Sequence, residues 1–492
     1  MARLTWSIVH LHASFNGLFG LVCVLVGMPY LCRMYNEETI VALATGGGIG
    51  AISVVRISGS KALFFTDALL KKSISEKASH TLVLRKLYDE EGLIDEAVIA
   101  LFLNNRSYTG EDVIEISLHG SAYISQRLLR AYLKLGARMA EPGEFTRRAF
   151  LNGKMDLAQA EAVADLIAAE HKFAHEQALH QLRGGFSDDI KFLRSRLLHF
   201  TSLIELELDF GEEDVEFASR TDLMALVVEI KRQVDELKDS FALGNALKQG
   251  FALVLAGRPN AGKSTLFNAL LNEDKAIVSE IAGTTRDSLE DRLRIGDVSV
   301  RLIDTAGIRE ATDAIEREGI NRTFKHIESA GASLYLFDPS GLSVADLKVD
   351  LALLKERGKR IWACANKLDV YAGDLSGYRD AVQEVLQEDL WELSAHERTS
   401  VSMLRGEIAS RFAQDIAKLG QLTVVTNARH SMALALCSEE LQMIIEGIDS
   451  GLSGDLMSFH LRTGIRALSG ITGEIDNEEV LGEIFSSFCI GK

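Results

Sequence analysis

The chain has 492 residues, of which 47% are hydrophobic and only four are prolines. This length and composition predict packed globular structure over roughly three domains. The formal net charge of −17 excludes a general attraction for nucleic-acid backbones, so any RNA substrate must meet a local basic patch or be presented by a partner. The five cysteines form no CxxC pair and no metal-ligand spacing, which indicates a reducing, cytoplasmic compartment.

The amino-terminal segment, residues 1–33, differs from the rest. It contains the apolar run "GLFGLVCVLVGMPYL" and carries no formal charge between Thr5 and Cys32. A membrane anchor or signal sequence is one interpretation. The apolar core is short and is preceded by polar residues such as His10 and His12, which favours a translated leader ahead of a start at Met34. We therefore expect no membrane association, although the anchor stays an alternative.

Residues 34–152 alternate short apolar runs with polar turns. The runs "AISVVRIS", "EAVIALFL" and "DVIEISL" are typical of strands, and residues 125–135 are typical of a helix. This part of the chain is predicted to be an α+β domain.

Two helical stretches flank a third region of different character. Residues 153–249 include an apolar stripe at helical spacing, formed by Leu223, Val227, Ile230, Val234, Leu237 and Phe241. Residues 414–492 include a second stripe, formed by Leu434, Cys437, Leu441, Ile444 and Ile448. Between them, residues 250–413 alternate strands with helices, which predicts a parallel sheet with crossover helices. The predicted fold class is multidomain α/β + α, with an α/β domain inserted into a discontinuous helical domain.

The segment "GRPNAGKS", residues 257–264, fits the P-loop pattern G-x-x-x-x-G-K-[ST] and lies between a predicted strand and a predicted helix. Its glycines let backbone N–H groups surround phosphates, and the helix N-terminus adds its dipole. Lys263 is expected to reach the β- and γ-phosphates, and the Ser264 hydroxyl is expected to bind Mg²⁺.

Three further motifs follow in the order of a Ras-like GTP-binding domain. "DTAG" supplies Asp304 for a water-mediated Mg²⁺ contact and the Gly307 N–H for the γ-phosphate. "NKLD", residues 366–369, and "SAH", residues 394–396, end later strands. Asp369 can accept hydrogen bonds from guanine N1–H and its amino group, whereas adenine offers an acceptor there. The quartet predicts a P-loop G domain that binds GTP.

The loop "IAGTTRD" lies where the first switch belongs, and Thr284 or Thr285 is expected to cover Mg²⁺ and the γ-phosphate. Ile308 follows DTAG, and its aliphatic side chain cannot orient the attacking water. The polarising group must therefore come from elsewhere. Asn260 could hold a monovalent cation near the phosphates, and an acidic segment with Glu310, Glu316 and Glu318 follows the switch.

The motifs together resemble the MnmE (TrmE) family, tRNA modification GTPases among the TrmE-Era-EngA-like GTPases. The resemblance runs from about Thr39 to Lys492 and rests on "YTGEDVIEISLHG", "EPGEFTRRAFLNGKMDLAQAEA", "AIVSEIAGTTRD", "DTAGIREATDAIEREGI" and the terminal "FSSFCIGK". It implies a folate-binding and dimerising N-terminal domain (34–152), a helical domain (153–249 and 414–492) and a GTPase domain (250–413).

The resemblance also implies an activity. Family members hydrolyse GTP in a K⁺-dependent manner as homodimers, and with the flavoprotein MnmG (GidA) they form a heterotetramer. This complex adds a carboxymethylaminomethyl or aminomethyl group to C5 of the wobble uridine of certain tRNAs. The one-carbon donor is 5,10-methylenetetrahydrofolate, with 5-formyltetrahydrofolate as an analogue, and FAD and NADH belong to the partner.

The family's site residues carry over by position. The K⁺ ligands fall on Asn260, Ser279, Ile281 and Thr284, the Mg²⁺ ligands fall on Ser264 and Thr285, and the water-activating base falls on Glu316. Folate contacts fall on Arg56, Glu115, Lys154 and Lys492. Motifs and resemblance together assign GTP binding to Asn260, Ala261, Gly262, Lys263, Ser264, Thr265, Ser279, Thr285, Asp304, Thr305, Ala306, Gly307, Asn366, Lys367, Asp369, Ser394 and Ala395.

The terminal thiol of Cys489 keeps two interpretations, a catalytic group beside the folate or a packing residue. Two rival functions are also open. A ribosome-assembly GTPase would carry an added basic RNA-binding module, and none is evident in the sequence. A membrane-associated GTPase would need the leader.

Overall fold

The computed structural model describes residues 38–48, 50–209, 220–274, 290–296, 298–304, 327, 330–358, 360–419, 423–474 and 478–492. The chain divides into two compact units, the first formed by Met1–Asp156 with Asn477–Lys492 and the second by Leu157–Asp476. The predicted domain boundaries stay predictions. The contacts group residues 477–492 with the first unit, whereas the sequence placed them with the helices.

The first unit is built on a mixed six-stranded sheet in the order β3-β4-β5-β2-β1-β6. Its strands are β1 (Ile40–Leu43), β2 (Ile52–Ser58), β3 (Thr81–Asp89), β4 (Gly92–Phe102), β5 (Val113–His119) and β6 (Arg138–Met139). Its helices are α1 (Ala62–Ala68), α2 (Ala122–Lys134) and α3 (Glu144–Leu151), and α15 (Glu478–Ser486) comes from the other end of the chain. The predicted α+β fold is confirmed, because all three predicted strands and the predicted helix are present.

The alternation of side chains along β2 and β5 separates a core from a second face. Val55 and Ile57 of β2 are buried in the core, as are Ile114 and Ile116 of β5. Residues between them point to the opposite side of the sheet, because successive strand residues alternate. Arg56 is therefore one of the residues on this opposite side, which we call the open face of the sheet.

The second unit combines a helical bundle with a mostly parallel six-stranded sheet. The bundle helices are α4 (Leu157–Ala168), α5 (Lys172–Leu182), α6 (Gly185–Asp209), α7 (Arg220–Asp239), α8 (Phe241–Gln249), α13 (Ala428–Ser450) and α14 (Gly454–Thr472). The predicted stripes on α7 and α13 are confirmed for Leu223, Val227, Leu434 and Cys437, which are buried in one common core. The first stripe does not extend along one helix to Phe241, because α7 ends at Asp239 and Phe241 begins α8.

The second sheet has the order β12-β11-β10-β7-β9-β8. Its strands are β7 (Phe251–Ala256), β8 (Glu290–Ile295), β9 (Val298–Asp304), β10 (Ala332–Phe337), β11 (Ile361–Ala365) and β12 (Trp391–Glu392), with helices α9 (Lys263–Asp274), α10 (Val344–Arg357), α11 (Ser376–Leu386) and α12 (Arg398–Leu419). The parallel prediction holds for β7 and β9–β12 and is wrong for β8, which runs antiparallel to β9. The connection between β8 and β9 is too short for a parallel crossover.

None of the helices in the described part of the chain combines the length and the apolar character needed to span a bilayer. The apolar leader, residues 1–33, lies outside that part.

Candidate functional site

The P-loop leaves the carboxyl end of β7 in a conformation that needs its glycines. Gly257 has φ +145°, and a Cβ there would lie 2.1 Å from the Leu336 carbonyl oxygen. Gly262 has φ +96°, and its Cβ would lie 2.2 Å from Asn366 Nδ2. Between them, Asn260 adopts a left-handed conformation with φ +63°. The loop is a close-fitting backbone cradle of the kind that binds phosphates.

Lys263 opens helix α9 directly after this cradle. Its Nζ donates hydrogen bonds to the carbonyl oxygens of Gly257, at 2.7 Å, and Arg258, at 3.0 Å. The ammonium group therefore lies across the loop at the helix N-terminus, where phosphate oxygens would meet both the charge and the helix dipole. Ser264 is the next residue of α9, and its role in Mg²⁺ binding stays a prediction.

Asn366 joins the P-loop to the loop after β12. Its side chain is 1% exposed, and its Nδ2 donates to the Ala261 carbonyl oxygen at 2.9 Å. Its Oδ1 accepts a hydrogen bond from the Ala395 N–H at 3.1 Å. The P-loop, the NKLD motif and the SAH motif therefore meet at the buried side-chain amide of Asn366. The sequence motif alone did not predict that this amide joins them.

Asp369 and Lys367 are each held by a neighbouring group. The Ser394 hydroxyl donates to Asp369 Oδ1 at 2.9 Å, which fixes the carboxylate beside the SAH loop. Lys367, at φ +65°, forms an ion pair with Asp338 with an Nζ–Oδ2 distance of 2.8 Å. Burial alone would raise the pKa of Asp338, but hydrogen bonds from Lys367 and Ser340 outweigh it and lower the pKa.

The remaining predicted nucleotide-site residues fall partly outside the described residues. Asp304 ends β9, and its backbone pairs with Leu255 of β7, next to the start of the P-loop. The other residues lie outside the described ranges and their roles stay predictions: Ser279, Ile281, Thr284, Thr285, Thr305, Ala306, Gly307 and Glu316.

A second candidate site lies on the open face of the first unit. Arg56 and Glu115 are register partners on β2 and β5, and their side chains form an ion pair with Nη2–Oε1 at 2.7 Å. The Arg56 guanidinium also lies 5.6 Å from the ring centroids of Tyr108 and Phe145. The pair is fixed by two aromatic rings yet remains partly exposed, with 17% and 28% of the side chains accessible.

The C-terminal tail, residues 487–492, lies against this pair. Arg56 Nη1 donates to the Gly491 carbonyl oxygen at 3.2 Å. Gly491 has φ +94°, and a Cβ there would lie 2.3 Å from the Leu43 carbonyl oxygen. Ile490 forms a β-bridge with Pro142. The tail is therefore seated closely on the first unit, 435 positions along the chain from Arg56.

The other predicted folate-site residues, Cys489, Lys492 and Lys154, have contacts of their own. Cys489 is exposed, and its carbonyl oxygen accepts from the Lys492 N–H at 3.3 Å. Lys154 Nζ donates to the Asn105 carbonyl oxygen at 2.6 Å, and its Cε lies 3.0 Å from where a Cβ of Gly110 would be. Sequence reasoning missed Tyr108 and Gly491. The positive φ of Gly491 has no local sequence signal beyond the residue type itself.

Comparisons with known proteins cover nearly the whole chain. Residues 157–489 match the family profile described as the MnmE helical domain, and residues 39–154 match that of the GTP-binding protein TrmE N-terminus. The tRNA modification GTPase MnmE of Flavobacterium psychrophilum is 45% identical over 468 residues, covering 93% of this chain and 100% of that protein. The protein of the same name from Cytophaga hutchinsonii is 46% identical over 460 residues, covering 93% and 98%. That from Bacteroides fragilis is 45% identical over 467 residues, covering 93% and 100%.

Proposed function

This chain belongs to the MnmE family of tRNA modification GTPases, and we propose that it is a K⁺-dependent GTP hydrolase that works with the flavoprotein MnmG (GidA). The complex installs a carboxymethylaminomethyl or aminomethyl group at C5 of the wobble uridine of certain tRNAs. The one-carbon unit comes from 5,10-methylenetetrahydrofolate, for which 5-formyltetrahydrofolate is an analogue, and the partner holds FAD and NADH.

The observation that carries the folate part of this proposal is the convergence of Arg56, Glu115 and the C-terminal tail. A pteridine ring carries N–H groups that can donate hydrogen bonds to a carboxylate such as that of Glu115. The adjacent Arg56 guanidinium holds this carboxylate in place. Lys154 and Lys492 add positive charge suited to the glutamate carboxylates of a folate. Cys489 lies in the same tail with its side chain exposed, so its thiol is a candidate for the one-carbon step.

For GTP hydrolysis, the described residues fit the roles that we assign to them. The glycine cradle and Lys263 bind the phosphates, and Asp369 selects guanine. Ser264 and Thr285 would bind Mg²⁺. Asn260, Ser279, Ile281 and Thr284 would bind K⁺. When bound, the two cations supply the positive charge that offsets charge developing on the phosphates. Glu316 is the proposed base that activates water.

The open face of the first unit supports the homodimer that we propose. Beyond Arg56 and Glu115, the sheet carries exposed apolar side chains near its β3 edge: Leu82 is 71% exposed, Leu84 57% and Val98 40%. The register places Leu84 opposite Val98, and Leu82 in one row with Ala100 and Glu115. A second copy would cover this patch and close the proposed folate site. We further propose a cytoplasmic heterotetramer with MnmG.

The decisive experiment is nucleoside analysis of tRNA from a strain that lacks this gene and is complemented with the chain. We expect wild type to restore the modified wobble uridine and Arg56→Ala to abolish it together with binding of 5-formyltetrahydrofolate. Arg127→Ala is the matched control, because Arg127 forms a comparable pair with Asp89 in the same unit. Full modification by Arg56→Ala would overturn the folate site. Unmodified tRNA with wild type would favour the ribosome-assembly or membrane-associated alternatives.

The cation requirement is tested separately by GTP turnover of the purified chain in KCl and in NaCl. We expect faster turnover in K⁺, and we expect Asn260→Ala to remove most of the difference. Equal rates in the two salts would contradict the proposed K⁺ site.

A further inference from the structure

The second residue of the P-loop motif, Arg258, has a side chain that the nucleotide-binding roles do not use. Its guanidinium forms bidentate hydrogen bonds with the carboxylate of Asp350 on α10, with Nε–Oδ2 at 2.8 Å and Nη2–Oδ1 at 3.0 Å. The hydroxyl of Tyr335, on β10, donates to Asp350 Oδ2. A second carboxylate, that of Asp346, lies 3.6 Å from Nη2. The P-loop is thereby fastened to the neighbouring strand–helix pair.

The backbone of this loop needs external anchors. It contains a non-glycine residue in the left-handed region, Asn260, between glycines whose φ angles are also positive. Such conformations persist when surrounding contacts fix them. At its second half, Asn366 holds the Ala261 carbonyl oxygen. At its first half, the corresponding side-chain contact is that of Arg258 with Asp350.

The same anchor acts on the phosphate-binding lysine. The Arg258 carbonyl oxygen accepts a hydrogen bond from Lys263 Nζ. A shift of Arg258 would therefore move both the backbone cradle and the position of the lysine ammonium. Asp350 is 21% exposed and Arg258 47% exposed, so the pair contributes little to the stability of the domain. Its effect is on the geometry of the loop.

We propose that Asp350 is a positioning residue for GTP hydrolysis, which holds Arg258 against α10 and keeps the first turn of the P-loop open to the phosphates. The cradle binds the phosphates in both the ground state and the transition state. Loss of an interaction that serves both states equally raises KM and leaves kcat unchanged.

The test is steady-state GTP hydrolysis by the full chain carrying Asp350→Asn. We expect KM to rise about fivefold with kcat within about twofold of wild type. Asp415→Asn is the matched control, because Asp415 forms a two-pronged pair with Arg360 in the same domain. Arg360 precedes the amino end of β11, away from the carboxyl ends that carry the nucleotide site. We expect the control to leave KM unchanged.

A double-variant cycle separates positioning from folding. If Asp350 acts through Arg258, then Arg258→Ala raises KM similarly, and the combination with Asp350→Asn costs no more than either change alone. The exchange of both charges, Arg258→Asp with Asp350→Arg, should recover part of the lost affinity. Additive effects, an unchanged KM in Asp350→Asn, or a fall in kcat at constant KM would each overturn the proposal. A melting temperature measured for every variant shows which ones are folded.

Discussion

At the scale of single residues, we propose that base choice depends on the carboxylate of Asp369. The Ser394 hydroxyl donates a hydrogen bond to this carboxylate, which fixes its orientation toward a bound base. Asp369→Asn replaces one acceptor by a donor and leaves a guanine N–H unpaired. We expect KM for GTP to rise about 100-fold, while hydrolysis of xanthosine triphosphate improves because xanthine offers a carbonyl to the new amide. Asp374→Asn, a nearby exposed carboxylate that binds Ser376, serves as the control. Unchanged base preference in Asp369→Asn would contradict this role.

Gly491 determines whether the tail can lie where Arg56 meets it. A Cβ at this residue would clash with the Leu43 carbonyl oxygen, and φ +94° is unfavourable for any other residue. We expect Gly491→Ala to lower tRNA modification about tenfold or more and to leave GTP hydrolysis unchanged. Gly482→Ala is the control, because none of the described atoms outside its own helical turn lies within 4 Å of its Cβ position. Equal modification by both variants would show that the seating of the tail does not matter.

Sequence reasoning located these residues unequally. The P-loop, NKLD and SAH motifs are local strings whose chemistry follows from spacing, and the structure brings Ala261, Asn366 and Ala395 together. The partnership of Arg56 with Glu115 depends on strand register, and its contact with Gly491 spans most of the chain. Neither follows from local pattern. The family resemblance pointed to Arg56 and Glu115 as separate folate contacts, and it did not predict their pairing or the contact with Gly491. The contact of Arg258 with Asp350 was missed for the same reason.

At the scale of secondary-structure elements, a buried charged cluster joins three helices of the second unit. Glu161 on α4 pairs with Arg429 and with His430 at the start of α13, with a His430 Nε2–Glu161 Oε2 distance of 2.6 Å. Arg429 also donates to the carbonyl oxygens of Gly470 and Ile471 at the end of α14. The cluster thereby links residues before and after the inserted G domain.

This cluster predicts a dependence of stability on pH. Burial alone would raise the pKa of Glu161, but His430 and Arg429 outweigh it and lower the pKa from 4.5 to about 2. A lowered pKa stabilises the fold above the unfolded value of 4.5, and this contribution is lost as pH falls toward 2. We expect Glu161→Gln to unfold at lower temperature at pH 7 and to show less change in melting temperature between pH 5 and pH 3. Thermal unfolding followed by circular dichroism at 222 nm gives the melting temperature at each pH.

The control for this change is Glu446→Gln, an exposed glutamate on α13 that contacts Gln442. It should follow the wild-type curve throughout the acid range. If Glu161→Gln also follows the wild-type curve, the buried cluster does not govern acid stability.

The elements themselves were largely predictable, because their hydrophobic periods are strong. The stripe from Leu223 to Val234 and the buried run of β7 match helix and strand templates directly. Strand β3 was not predicted, since its outward residues Leu82 and Leu84 are apolar as well and break the expected alternation. Strand β8 carries several charges, and its antiparallel pairing depends on β9. Edge strands are defined by their partners more than by their own sequence.

At the scale of the whole molecule, the net charge of −17 means that copies of the chain repel one another at long range. A homodimer therefore needs an apolar contact that outweighs this repulsion. We expect the exposed patch of Leu82, Leu84 and Val98 on the open face to supply this contact. Because Glu115 lies in the same row as Leu82 and Ala100, the patch is continuous with the proposed folate site, and assembly and folate binding should be lost together.

The change that tests this coupling is Leu84→Glu, which places a charge at the centre of the patch, where a second copy would have to bury it. Light scattering after size-exclusion chromatography should show a dimer for wild type and a monomer for the variant, and binding of 5-formyltetrahydrofolate should fall in parallel. Phe64→Glu is the control, because Phe64 is 69% exposed on α1 of the same unit and lies outside the open-face strands. A dimeric Leu84→Glu chain would assign the dimer contact to another surface. A monomer that still binds folate would instead show that one copy completes the site.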